Sequence, residues 1–230
     1  RYHKCKLKIQ ISPAYFIFRK GRLYVAFFCG GGIRVLNKVM HHCFHHIPKT
    51  GGSSLRIRLE DRADKKQISK LDYAVGHNTT AKTPGTHFVW LRDPLDRDIS
   101  HFNYDMEKDE AQASTFEESC KLLAGNFMTL WLYKDYLLLN PTDDVEIKYQ
   151  SVRQALKDNV EKVFSIENFE QSWNEVADIL KVDREPRLNT NRSNEDYKKY
   201  ANRKNLSEEF ISWHKDYNSY DYLLYQEFCT

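Results

Sequence analysis

The chain has no apolar stretch approaching ~18 consecutive residues, so nothing in it reads as a bilayer-spanning helix. Its 5 cysteines, Cys5, Cys29, Cys43, Cys120 and Cys229, are odd in number and scattered, and they form no CxxC pair. A disulfide framework therefore cannot be read from the sequence, although one bridge is not excluded. An excess of either charge is also missing. Lys+Arg 35 against Asp+Glu 32 leaves a formal net charge of +3, which argues against wholesale nucleic-acid binding and leaves room only for a local basic site. An initiating methionine is absent too. With Arg1 first, the chain reads as a fragment from which an anchor or signal could have been removed. The compartment stays open: Golgi lumen if eukaryotic and truncated, cytoplasmic if bacterial.

What is present is an ordinary globular composition. At 230 residues, 41% hydrophobic and 29% charged, the chain fits one domain, or one domain with a small appendage, and can bury a sizeable core. Tyr 14 and Phe 13 are generous, and most of these rings are expected in that core.

The organising stretch is Ile47-Pro48-Lys49-Thr50-Gly51-Gly52-Ser53-Ser54. Apolar and aromatic residues precede it, and Leu55-Arg56-Ile57-Arg58-Leu59-Glu60 follows with helix-compatible composition, so the order reads strand, tight loop, helix. Glycines let the backbone approach a ligand, the first N–H groups of a helix point outward unpaired, and the macrodipole adds partial positive charge. Lys49 adds a full charge. A turn with a helix cap is the plainer reading of the same residues. In nucleotide triphosphatases the lysine follows the glycines and directly precedes the Ser or Thr that holds magnesium, whereas Lys49 stands before both glycines.

Ahead of this loop, Tyr15 to Phe18 and Leu23 to Phe28 read as a hairpin turned at Lys20-Gly21 and broken by Cys29-Gly30-Gly31-Gly32, with Lys6 to Ile11 also extended. Residues 1–40 form a peripheral segment in this reading, and the domain proper begins at residue 41. His41 to His46 invites a zinc reading. Strand alternation, however, sends His42, Phe44 and His46 to one face and His41, Cys43 and His45 to the other, so buried or edge histidines are the better account.

Downstream, Arg56 to Lys70 reads as a charged, surface-running helix, and Leu71 to Val75 as a short strand ending in Gly76-His77-Asn78-Thr79-Thr80. A histidine just past a strand end sits where α/β proteins place their chemistry, or is simply a solvated loop residue. Thr86 to Leu91 is apolar enough for a central parallel strand and runs into Arg92-Asp93-Pro94. Asp93 suits a helix cap and Pro94 a first helical turn, which holds Arg92 at the strand tip, while Ser100 lies about two turns further on. Arg92 reads either as a salt-bridge partner of Asp93 or Asp96, or as a second anion site.

Phe116 to Leu139 and Val152 to Val160 read as helices, and Val163 to Ile166 as a last short strand. A helix striped with Phe169, Trp173, Val176, Ala177 and Leu180 follows it. Asp105, Glu107, Asp109 and Glu110 form an acidic run that reads as a solvated face. Arg187 to Asn194 is a polar loop, Asn205 with Glu208 looks like a capping pair, and Asp221 to Phe228 closes the domain.

Together these residues resemble the sulfotransferases that use 3′-phosphoadenosine 5′-phosphosulfate (PAPS), in the branch typified by heparan sulfate 2-O- and 6-O-sulfotransferases. Residues 47–54 resemble that branch's 5′-phosphosulfate loop, and Leu91-Arg92-Asp93-Pro94 with Arg97 and Ser100 resembles its 3′-phosphate motif. Val75-Gly76-His77 resembles its strand-end histidine, and Asn189 with Arg192 a late cofactor-closing loop. The resemblance runs from about His42 to the end. It implies a single three-layer, P-loop-like α/β domain with a central parallel sheet flanked by helices. It further implies that Thr50, Gly51, Gly52, Ser53 and Ser54 hold the 5′-phosphosulfate through backbone N–H groups and that Arg92 and Ser100 hold the 3′-phosphate. Arg192 would close over the nucleotide, Lys49 would stabilise the departing bridge oxygen, and His77 would take the acceptor's proton. No metal is required, no nucleic acid is expected, and the partner is an acceptor hydroxyl on a glycan or small alcohol. A compact, mildly basic chain puts a heparan-type acceptor in question and leaves a neutral sugar or a lipid hydroxyl equally open. The alternatives are a P-loop nucleotide kinase and a non-catalytic nucleotide- or glycan-binding module.

Overall fold

The computed structural model describes residues 15–19, 22–29, 32–39, 42–70, 72–77, 79–140, 143–184 and 199–230. Among these, the first three strands, β1 (Tyr15–Arg19), β2 (Arg22–Cys29) and β3 (Gly32–Val39), pair antiparallel in the order β1-β2-β3. The expected hairpin thus gains a third strand beyond the glycine run that was expected to end it. Lys6 to Ile11 lies outside the described residues.

The second sheet is the frame of the domain. Its strands β4 (His42–His46), β5 (Tyr73–Gly76), β6 (Thr86–Leu91) and β7 (Val160–Ser165) stand in the order β5-β4-β6-β7 and are all parallel. Parallel strands covered on both faces are expected to be apolar on both, and β6 is: His87 to Leu91 are all buried. Phe44, Phe88, Trp90 and Phe164 project into one core, shared with Leu55 and Leu59 of α1 (Gly52–Asp64) and Phe169, Trp173, Val176 and Ala177 of α6 (Phe169–Leu180). Val89, Leu91 and Val160 project into the other, built with α4 (Phe127–Trp131), α5 (Val145–Asn159) and α8 (Ser219–Cys229). Helices therefore cover both faces of the parallel sheet, as expected. A third cluster joins α2 (Pro94–Lys108), α3 (Phe116–Leu122) and α7 (Glu208–Tyr217) through Leu95, Ile99, Phe102, Phe116 and Phe210.

Several elements differ from the sequence reading, each for a local reason. The single helix expected over 116–139 is α3, α4 and a π-helical turn at Leu132–Tyr136. The break falls at Gly125-Asn126. A Cβ at Gly125 would meet the Tyr217 carbonyl oxygen at 2.4 Å, and Asn126 takes a left-handed backbone, φ 61. Asn126 then clasps the α7–α8 junction, its N–H donating to Asn218 Oδ1 at 2.8 Å and its Oδ1 accepting from Tyr220 N at 2.8 Å. The helix placed at 152–160 begins earlier, at Val145, because Asp144 caps it by accepting from Glu146 N. Its last expected residue, Val160, already belongs to β7. The cap of α7 is Ser207, accepting from Phe210 N at 3.1 Å, rather than an Asn205–Glu208 pair. The charged helix after the loop is not purely a surface one: Arg58 and Arg62 are buried, with guanidinium groups 5.3 and 6.0 Å from the Trp173 ring.

Candidate functional site

Strand order fixes where a site can form. From β4 the chain goes out to β5 on one side, then crosses to β6 on the other, so the connections diverge between β4 and β6. In open α/β sheets the crevice at the carboxyl ends of such a strand pair is where ligands bind. The loop after β4 is residues 47–51, the residue after β6 is Arg92, and His77 follows β5 directly. Three sequence-predicted segments are thereby brought to one edge of the sheet.

The loop turns sharply. Thr50 is fully buried, and both its N–H (3.2 Å) and its hydroxyl (2.9 Å) donate to the Ile47 carbonyl. Its amide was expected to face the anion together with those of residues 51–54; instead it tightens the turn, and the N–H groups left at the mouth begin at Gly51. Lys49 takes a left-handed backbone, φ 71, and Gly51 another, φ 89. A Cβ on Gly51 would lie 2.1 Å from the Ile166 side chain, and one on Gly52 would lie 2.1 Å from the His46 ring. Both glycines are therefore required by space. α1 starts at Gly52 with no side-chain cap and no acidic residue in its first turn, whereas α2, α3, α5 and α7 each carry a capping side chain. A helix start with no side-chain cap and no acidic residue in its first turn suits an anion.

His77 is exposed and stacks on the His46 imidazole, with centroids 4.5 Å apart. Its Nδ1 lies 2.8 Å from the His46 carbonyl oxygen. A carbonyl only accepts, so Nδ1 carries the proton and Nε2 keeps its lone pair. Burial, followed by the neighbouring His77, Arg56 and Lys49, depresses the His46 imidazole to about 4, so that ring is neutral near pH 7. The base candidate is therefore one ring removed from Gly52 of the loop.

Arg92 reaches the same loop, its Nη1 donating to the Lys49 carbonyl at 3.0 Å. Asp93 caps α2 as expected, accepting from Asp96 N at 3.0 Å. Asp93 and Asp96 both pair with Arg203, at 3.4 and 3.2 Å, a residue that sequence reasoning did not single out because it lies over a hundred positions away. Arg97, 1% exposed, braces the loop from below: its Nε donates to the Pro48 carbonyl at 3.4 Å, Nη1 contacts Asp98, and the guanidinium lies 3.6 Å from the Phe127 ring centroid. Ser100 is buried within α2. Lys49 Nζ lies 4.1 Å over the Tyr104 ring. Asn189 and Arg192 lie outside the described residues.

The histidine run of β4 divides as alternation predicts. His42 faces Phe88, while His45 turns to the opposite face, where its Nε2 meets His87 Nδ1 at 2.8 Å and its Nδ1 lies 3.0 Å from the Thr79 carbonyl. Burial, reinforced by His87 and opposed by the Thr79 carbonyl, depresses His45 to about 3. Among the described residues the one three-member group with metal-ligand chemistry is elsewhere: Asp98, Cys120 and His214. There His214 Nε2 meets Asp98 Oδ2 at 3.0 Å and Arg97 contacts the same carboxylate, which describes an internally paired cluster.

The fold defines an α/β domain with a glycine-lined loop at the carboxyl end of a central strand of its parallel sheet. Comparison with family models, with curated proteins and with solved structures gives no match to this chain.

Proposed function

We propose that the chain is a PAPS-dependent sulfotransferase acting on an acceptor hydroxyl, in keeping with the resemblance of its loop and strand-end motifs. The observation that carries the reading is the His46 carbonyl bond, which presents the Nε2 lone pair of His77 one ring away from an uncapped, glycine-lined helix start. The loop and the first turn of α1 bind the 5′-phosphosulfate of the donor through the N–H groups from Gly51 onward. Lys49, a residue of the same loop, serves the oxygen bridging phosphorus and sulfur, where charge builds. A fixed cation there favours the transition state over the ground state. His77 Nε2 accepts the acceptor hydroxyl's proton as the acceptor oxygen bonds to sulfur. The sulfur–bridge-oxygen bond breaks with its electron pair going to the phosphate, leaving adenosine 3′,5′-bisphosphate. Arg92, at the tip of β6, serves the 3′-phosphate end.

The kinase alternative is disfavoured by Thr50. It is the hydroxyl residue directly after Lys49, and it is fully buried and donates inward to Ile47. Transfer of labelled sulfate from PAPS, with and without EDTA, tests the proposal. Metal-independent transfer supports it, metal-dependent phosphate transfer from ATP supports the kinase, and nucleotide binding without turnover supports the binding module. His77→Ala is expected to abolish transfer with the nucleotide still bound; retained turnover would overturn the assignment of the base.

A further inference from the structure

An aromatic rim connects the two groups assigned to the chemistry. Beginning at His77, the Trp131 indole makes a T-shaped contact at 5.3 Å and stacks with Phe127 at 5.8 Å, and Phe127 in turn has His101 at 6.2 Å. His101 lies one turn before Tyr104 on α2, and Tyr104, 39% exposed, carries Lys49 Nζ over its ring. The rim therefore runs from the proposed base to the proposed lysine across the gap between α4 and α2. Phe127 and Trp131 are only half-buried, although both pack against the core on their inner sides. Polar groups stand along it: His101 Nδ1 lies 3.1 Å from Asp105 Oδ2, and Lys108 Nζ lies 6.0 Å from the Tyr104 ring centroid.

The geometry points to Trp131 as the specificity-determining residue of an acceptor subsite that takes an uncharged sugar ring. This rests on the sulfotransferase reading above and adds the substrate class. The C–H face of a pyranose packs on an indole, while its hydroxyls find partners in His101, Asp105 and the Tyr104 phenol. A ring lying on Trp131 brings one hydroxyl to the neighbouring His77. The Asp105 carboxylate beside His101 disfavours a sulfate or carboxylate on a sugar seated there, while Lys49 and Lys108 lie over the Tyr104 ring at the donor end. An aryl alcohol would use the indole and leave the polar rim without partners.

The test measures transfer from labelled PAPS to an uncharged hexose oligosaccharide, a heparan-type polyanion and an aryl alcohol. It uses wild type, Trp131→Ala and Trp131→Phe, with calorimetric binding of adenosine 3′,5′-bisphosphate in parallel. The uncharged oligosaccharide is expected to be the best acceptor. Trp131→Ala should raise its KM about tenfold, with most of the loss in KM and bisphosphate affinity held, and Trp131→Phe should recover much of it. The same oligosaccharide should shift the tryptophan emission of wild type and not that of Trp131→Phe. Preference for the polyanion or the aryl alcohol, an unchanged KM in Trp131→Ala, or bisphosphate binding without transfer to or fluorescence response from the oligosaccharide would each overturn the subsite alone. Loss of bisphosphate binding and of all transfer in wild type would overturn the sulfotransferase reading and the subsite with it.

Discussion

Lys49 holds a left-handed backbone that costs a non-glycine residue about 1–2 kcal/mol, and it is kept there by the Thr50 turn on one side and by Arg92 gripping its carbonyl on the other. Its side chain and its backbone thus have separable roles. Lys49→Ala is expected to lower turnover more than nucleotide affinity, whereas Arg92→Ala should mainly weaken binding of a 3′-phosphorylated nucleotide; calorimetry beside single-turnover rates distinguishes the two, and wild-type bisphosphate affinity in Arg92→Ala would refute its assignment. Gly52 makes a sharper case. An alanine there places its methyl 2.1 Å from the His46 ring on which His77 stacks, so the ring must move. Gly52→Ala should cost about 1–3 kcal/mol in urea unfolding and reduce turnover further than its stability loss explains. Thr50 shows where sequence reading stops at this scale. Its type and position suggest an anion ligand, and only the coordinates reveal that amide and hydroxyl both turn to Ile47.

Two helix starts, those of α4 and α8, are satisfied by residues distant in the chain. Asp221 on α8 is fully buried and accepts from Met128 N at 2.8 Å, Thr129 N at 2.7 Å and Thr129 Oγ1 at 2.7 Å, capping α4 from about ninety residues away. Asp221→Ala is expected to destabilise the fold by about 2–4 kcal/mol, since three buried donors lose their acceptor; Asp221→Asn, which keeps one oxygen, should lose less. Local capping rules found Asp93 because it precedes its own helix, and the same rules would have found Asp144 and Ser207 had those positions been weighed. They have no means of finding Asp221 or Asn126, whose partners are distant in the chain. The central strands of the parallel sheet were legible because β6 is apolar from Phe88 to Leu91 and because the residue types of β4 divide between its two faces. The break at Gly125-Asn126 was not, because its cause is the Tyr217 backbone packed against it.

At the scale of the molecule, strand order gathers the site, and the sequence names its residues without showing that order. The loop, Arg92 and His77 were each legible as strand-end residues, while their convergence depends on β4 standing between β5 and β6. Arg203 carries no local signature, and the helical spacing of Phe127 and Trp131 marks them as core without showing the rim they form, which enters only through packing. Acid tests the assembled domain as a whole. His45 and His46 are held neutral, depressed to about 3 and about 4, so unfolding below pH ~6.5 lets both take up protons. Their contribution is complete above the unfolded value and is lost as pH falls toward the folded values. Asp221, raised to about 6 chiefly by burial, acts in the opposite sense over part of this window, since unfolding releases its proton. Two protons gained against one released leaves about one net, so stability should fall by about 2–3 kcal/mol between pH 7 and pH 5. Urea midpoints across that range check the sign, and His45→Gln should flatten the slope. His77 hangs by its Nδ1 from the last peptide of β4, and that peptide launches the glycine turn. A shift of this strand end therefore carries His77 and the glycine turn together, so the spacing between the proposed proton acceptor and the proposed anion seat survives breathing of the surrounding helices, and tuning it calls for changes in β4 itself.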